Sequence, residues 1–468
     1  MTSALLALVL FFSAASTDWT RFRGPNGSGL SDTTGLPAEF GPSQNVIWKV
    51  DLPEGFSSPV IAGSRIFLTG FRNDTLLTLA VDRTTGKVLW ERQAPRDRKE
   101  KLDPRNHPAA ASAATDGERV FSFFGDYGLL AYDTNGRELW KRPLGPFDNI
   151  YGMGSSPIVV DDLVVVACDQ STGSFIAAFD KKNGRERWRT ARPEARSGHS
   201  TPVVYQPASG RKQVVLPGSF LLNAYDVATG KRLWWVGGLS FELKSVPVID
   251  GDTLYINGFG SGENEPGRRV AVTQSSEVFR AHDKDKDGRL STEELPTKHA
   301  LDALPFTDLN GDKAISVEEW DYYKAAMDSD NGMLAIRLGG AGDMTTRSVV
   351  WAYRRAVPQL PSPLIYQHVL YMVNDGGIVT TLQPATGELI KQGRLKGAID
   401  RYYASPVAAD GKIFMSSEKG KVAVLRPGGD LEPAVINDVQ DDIYATPALL
   451  DGRIYLRTRH TLYCFGLP

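Results

Sequence analysis

The chain has 468 residues, a formal charge of −2 at pH 7 and 23% charged residues. That near-neutral balance makes no case for a nucleic-acid or anionic-membrane partner. Length alone suggests roughly two to four domains, a prior that any internal repeat would override.

The first segment reads as an export signal. Ala4 to Phe12 is apolar, and the small residues Ser13 to Ser16 fit a cleavage site near Ala15, although no Lys or Arg precedes the run. The run is too short to span a bilayer. The expectation is an exported protein, periplasmic or extracellular, with residues 1–17 removed and no membrane span. No cysteine near the cleavage point offers a lipid anchor. The two cysteines, Cys168 and Cys464, each lie in an apolar strand-like run and far apart in the repeat described next, so no disulfide is expected between them.

One pattern then recurs. A small residue and a proline lead into an apolar strand at Ser58-Pro59, Ser156-Pro157, Thr201-Pro202, Val246-Pro247, Ser362-Pro363, Ser405-Pro406 and Thr446-Pro447. A copy without proline, Ala111 to Ala114, fills the one gap and brings the count to eight. Each strand is followed by a hairpin, a third strand, a turn of the form Asp-x-x-Thr-Gly and a strand carrying tryptophan, as in Asp82 to Trp90 and Asp226 to Trp234, with looser copies such as Asp180 to Trp188. Aspartate can cap backbone N–H groups two residues on, and glycine supplies the positive φ. Four strands in a unit of roughly 45 residues, repeated radially, make a β-propeller.

The last unit, from Thr446 to Phe465, stops after three strands, and Val46 to Val50 supplies the missing fourth. The expected fold is therefore all-β: an eight-bladed propeller closed by an N-terminal strand, with seven blades as the alternative count. These units, together with the opening Trp19-Thr20-Arg21-Phe22-Arg23-Gly24-Pro25, resemble the quinoprotein-like (PQQ-like) repeat family over about residues 18 to 468. That family includes alcohol dehydrogenases that bind pyrroloquinoline quinone and a non-enzymatic scaffold of outer-membrane protein assembly, so the resemblance implies the fold and leaves the function open.

Between Pro247 and Pro363 the spacing exceeds one blade by roughly 70 residues. The excess falls between the second and third strands of blade five. It divides the chain into propeller segments 18–259 and 333–468 and a small helical insertion, 260–332. The insertion contains Asp283-Lys-Asp-Lys-Asp-Gly-Arg-Leu-Ser-Thr-Glu-Glu294, which matches the twelve-residue EF-hand loop. Asp283, Asp285 and Asp287 present oxygens at alternate positions, Arg289 its carbonyl, Ser291 a direct or water-mediated contact, and Glu294 both carboxylate oxygens. In the second loop Asp308, Asn310, Asp312, Ala314, Ser316 and Glu319 hold the same positions, but Lys313 stands where the pattern has glycine. Two calcium ions are expected, the second bound more weakly or its loop distorted. Flanking helices are expected at Ser276 to Ala281 and Val317 to Met327, as a structural clamp rather than a switch.

Residues leading into the innermost strands should converge at the mouth of the central channel. They are Phe56, His107, Tyr151, His199, Lys244, Arg401, Tyr402, Tyr403 and Tyr444. Such a ring suits a planar or sugar-like ligand, or a plug of the channel. The resemblance admits pyrroloquinoline quinone as a cofactor, but no residue motif supports it: the adjacent cysteines of the alcohol-oxidising relatives are absent. The leading expectation is a monomeric, non-enzymatic binding or scaffold protein, taking a protein or a small-molecule or carbohydrate ligand at the propeller face. A quinone-dependent oxidoreductase is the alternative.

Overall fold

The computed structural model describes residues 18–468; the expected signal segment, 1–17, lies outside the described residues. Eight sheets carry the expected blades, seven of four strands and one of five, so the count is eight and not seven. Blade 1 consists of Val60–Ala62, Arg65–Arg72, Thr75–Asp82 and Val88–Gln93, each antiparallel to the one before. The others repeat this meander. Blade 8 is completed from the other end of the chain: Val46–Asp51 pairs antiparallel with Thr461–Gly466, Trp48 opposite Cys464. The seam is thus closed within one blade, leaving only the short outer edge that the other blades also have.

Burial explains the strand patterns. A second strand such as Leu163–Cys168 is buried at every position because neighbouring blades cover both faces. An outer strand such as Glu186–Ala191 buries only Trp188. That tryptophan docks on the following blade, where its indole N–H donates to the carbonyl of Val227 at 2.8 Å. Trp48, Trp90, Trp140 and Trp351 make the same bond to turn carbonyls one blade on, at 2.8–3.1 Å. Each indole lies over the glycine of the Asp-x-x-Thr-Gly type of turn; a Cβ on Gly184 would stand 2.6 Å from the Trp140 ring, and its φ is +69°.

Trp234 of blade 4 departs from this. Its indole donates instead to Gln213 at 2.7 Å. The turn it would meet in blade 5 is replaced by a longer connection, in which Gly342–Asp343 adds a short parallel strand to Trp234–Trp235 and a helical turn, Thr345–Ser348, follows. The repeat pattern gave no warning of this fifth strand.

The small residue before each proline also has a structural role. The Ser58 N–H donates to the hydroxyl of Ser112, Ser112 to Ser156, and Ser156 to Thr201. On the other side Val246 donates to Ser362, Ser362 to Ser405, Ser405 to Thr446, and Thr446 back to Ser58. Seven such links at 2.8–3.0 Å encircle the axis, broken only where Val246 has no hydroxyl.

The segment Trp19 to Asn26 runs across one end of that axis. Arg23, fully buried, donates to the carbonyls of Pro363 and Pro406, and Arg21 to that of Pro202. Cys168 and Cys464 are both free and buried, in blades 3 and 8. No helix among the described residues is long and apolar enough to cross a membrane.

Between the second and third strands of blade 5, Thr253–Gly258 and Gly332–Arg337, the chain forms helices α1 (Ser275–His282), α2 (Lys298–Thr307) and α3 (Val317–Asp328). Val278, Leu290, Ala300, Ile315, Trp320 and Tyr323 make a small core of their own, with Phe220 and Phe241 of the propeller packed against it.

Candidate functional site

Two places carry chemistry: the mouth of the axis and the two acidic loops.

At the mouth lies a cavity of about 540 Å³. Phe22 of the N-terminal segment lines it, and Phe56, Tyr151, His199, Lys244, Arg401, Tyr403 and Tyr444 stand around it. Two expected members are not among its lining residues. Tyr402 is wholly buried and donates its hydroxyl to the Ala398 carbonyl at 2.7 Å, because the pair of adjacent tyrosines must point to opposite sides of the chain. His107 lies behind Phe56, ring centroids 4.8 Å apart, and its Nδ1 accepts the Ala109 N–H at 3.1 Å. The structure adds Asp103, Arg105, Asn106, Gln359 and Asp375. Asp103, Arg105 and Asn106 come from the long connection between Val88–Gln93 and Ala114–Thr115, Gln359 from the approach to Leu364–Tyr366, and Asp375 from the short hairpin between Val369–Val373 and Ile378–Leu382, none at the strand-leading position that the repeat marks.

The electrostatics of the cavity are largely settled internally. Arg105 grips Asp103 through Nε at 2.7 Å and Nη2 at 2.9 Å. Lys244 pairs with the buried Glu242 and stands 5.0 Å above the Tyr151 ring. Burial and the neighbouring Lys244 hold the His199 imidazole down to about 3, so it is neutral at any ordinary pH. Burial pushes the Asp375 carboxyl up, against the Gln359 N–H it accepts at 2.9 Å. Phe56 and Tyr444 stack at 3.9 Å, and Tyr444 donates to Glu418 at 3.0 Å. Among the described residues, Arg401 is the cation of this wall that makes no ion pair. The result is a ring of aromatic faces and already paired polar groups.

The acidic loops are built alike. Glu294 accepts the N–H of Lys284 at 2.9 Å and of Ser291 at 3.0 Å, and Glu319 those of Leu309 and Ser316, both at 2.9 Å. Asp287 accepts the Arg289 N–H at 2.8 Å, and Asp312 that of Ala314 at 3.0 Å. Gly288 and Lys313 donate to Asp283 and Asp308 at 3.1 and 2.9 Å, so Lys313 occupies the bend of the second loop as glycine does in the first. It does so at φ +67°, against +82° for Gly288. The loops join through a two-residue antiparallel bridge, Leu290 opposite Ile315.

Carboxylate oxygens of Asp283, Asp285 and Asp287 all lie within 4.8 Å of one another. Asp283 Oδ1 is buried and has no hydrogen-bond partner, and the Glu294 side chain is only 8% exposed. Three converging carboxylates with a buried, unused oxygen fit a hard divalent cation. In the second loop Asp312 is held by the Arg289 guanidinium reaching over from the first.

An eight-bladed propeller with an axial cavity is thus the class of protein to which the chain is to be compared. A family model described as "Outer membrane protein assembly factor BamB", of the PQQ-repeat type, matches residues 41–175, 79–277 and 172–467, and the chain belongs to that family. The outer membrane protein assembly factor BamB of Shewanella oneidensis is 21% identical over 422 residues, 85% of this chain and 92% of its own. The crystal structure of BamB from Moraxella catarrhalis has a TM-score of 0.54 at 12% identity, covering 90% of this chain and 97% of that one. A europium-containing methanol dehydrogenase has a TM-score of 0.60 at 10% identity, covering 96% and 98%. At such identities the two solved structures speak for the fold alone.

Proposed function

We propose that this chain is an exported calcium-binding propeller acting as a non-enzymatic binding or scaffold protein, with the ions held by two EF-hand loops. The observation that carries the calcium reading is the first loop: three carboxylates converge there, and the buried Asp283 Oδ1 has no partner. Asp283, Asp285, Asp287, the Arg289 carbonyl, Ser291 and Glu294 would hold the first ion. Asp308, Asn310, Asp312, the Ala314 carbonyl, Ser316 and Glu319 would hold the second. The scaffold reading and the export reading draw support from the family description, an assembly factor of the outer membrane. The ring of aromatic faces and paired polar groups at the mouth suits a neutral, hydroxylated ligand such as a sugar, or the side chains of a protein partner.

The alternative, a dehydrogenase using pyrroloquinoline quinone, has the fold of the methanol dehydrogenase in its favour. The residues of the cavity do not fit that cofactor. Its three carboxylates would meet one unpaired guanidinium, Arg401, beside the carboxyl groups of Asp103 and Asp375. Retention of the quinone with alcohol-dependent dye reduction after reconstitution would reverse this ranking.

Calcium titration by calorimetry tests the main reading. The full chain should take up two ions, and Glu294→Gln should lose the first site by at least about tenfold in affinity, because the closing ligand loses its charge. An unchanged titration in that variant would remove the site assignment.

A further inference from the structure

The helical insertion meets the propeller beside the axial cavity, through the helices that flank the second loop. Tyr322 of α3 packs edge-on against Phe220, ring centroids 5.6 Å apart, and Glu318 pairs with Arg196 at 2.7 Å. The far end of α3 is held by Asn264, which donates to the carbonyls of Ala326 at 2.8 Å and Ser329 at 2.8 Å. Helix α3 is thus fixed to the propeller through its first turns and, at its far end, to the segment that leaves Thr253–Gly258. Helix α2 is held at its start, where His299 bonds Tyr323 and, at 2.9 Å, Glu263, and along its length Ala300, Ala303 and Leu304 pack onto the insertion's own core rather than onto the propeller. Its last turn carries Phe306, half-exposed, whose ring faces Tyr151 at 6.5 Å.

Tyr151 is a wall of the cavity, and its ring also meets Arg105 at 5.6 Å, Lys244 at 5.0 Å and His199 at 5.8 Å. On the other side, Phe306 is two residues from Asp308, which caps α2 and opens the second loop. Glu319, which closes that loop, lies in the first turn of the anchored α3. An ion drawing Asp308 and Glu319 to one centre therefore sets the angle of α2 against a fixed α3, and Phe306 is the end that moves.

We propose that the second loop and the axial cavity are coupled through the Phe306–Tyr151 contact, so that calcium at Asp308–Glu319 resets the rim of the cavity. This rests on the calcium reading above. Coupling is reciprocal: an occupant of the cavity that presses on Tyr151 shifts calcium affinity by the same factor. It also turns the insertion from a passive clamp into a control element.

The test is amide hydrogen exchange on the full chain with calcium as the only added ligand, followed in peptides covering 149–154 at the rim and 308–319 in the loop. In the unsubstituted protein both peptides should change protection by about fivefold or more, with one calcium midpoint. In Phe306→Ala, a substitution at a half-exposed position, the loop should still respond and the rim should not. A responding loop with an unmoved rim overturns the coupling and leaves calcium binding intact. A rim that still responds in Phe306→Ala overturns the route through that ring. Silence of both peptides overturns the calcium reading of the second loop, and the coupling with it.

Discussion

Arg289 and Lys313 bear on the second loop from different sides. Lys313 holds a left-handed backbone at φ +67°, which costs a residue with a Cβ about 1 kcal/mol relative to glycine. The loop nevertheless keeps the hydrogen-bond pattern of its neighbour, because the Lys313 N–H still reaches Asp308. Arg289 acts differently: its guanidinium takes an oxygen of Asp312 that an ion would also need. The pair is partly exposed, and such pairs are worth about 0.2–1 kcal/mol. Arg289→Gln should therefore tighten the second site by roughly 1.4- to 5-fold, with the first site unchanged, since Arg289 would serve that site through its main-chain carbonyl. A calcium titration resolving two affinities checks this, and a weakened second site would count against the competition. The lysine at the bend was legible in the sequence; the arginine was not, because a contact across two loops has no spacing signature.

Among the elements, the turn and its tryptophan form the unit that stacks blade on blade. Gly184 has a positive φ, and any Cβ there meets the Trp140 ring. Gly184→Ala should cost more than the roughly 1 kcal/mol of the backbone term alone, because the indole must shift and lose its bond to the Lys181 carbonyl at 3.1 Å. Urea unfolding should report the loss, accompanied by a change in tryptophan emission. The Asp-x-x-Thr-Gly spacing exposed this device in the sequence because aspartate, glycine and tryptophan each have a fixed duty there. Blade 5 shows the limit. Its last connection replaces that turn with Gly342–Asp343 and a helical turn, and Trp234 turns inward to Gln213. A missing motif says that the turn differs without saying what stands in its place. The outer two helices of the insertion were read to within a residue at each end, since the acidic loops fix where a helix can begin and stop, whereas α2, Lys298–Thr307, was not read.

For the whole molecule, the belt of hydroxyls ties the ring together at its axis. Ser405→Ala would leave the buried Ser362 N–H without its acceptor at 2.9 Å, a loss of about 1–3 kcal/mol. Comparing denaturant midpoints of this variant and the parent measures it. Six Ser-Pro or Thr-Pro pairs, with Val246-Pro247 and the copy at Ala111 to Ala114, announced the eight innermost strands, but the hydroxyl's partner in the next blade emerges only when the ring is closed. The same holds for the cavity. Residues at the start of each inner strand were placed by the repeat, while Asp103 and Arg105 arrive on an unusually long connection and Asp375 on a hairpin whose tip the repeat does not mark as facing the mouth. Tyr402 and Tyr403 could not be told apart by period alone, and burial assigns one to the core and the other to the mouth.

Closure of the ring has a consequence in time. The strand Val46–Asp51 is made early, yet its partner Thr461 follows Asp51 by 410 residues. At ordinary synthesis rates, roughly 5–20 residues per second, that strand waits on the order of 20–80 s for the edge it completes. Until then blade 8 does not exist, and the edge that will meet it stays open to any passing strand. The ring therefore locks last, when Thr461–Gly466 has been made and the waiting strand Val46–Asp51 can add to it.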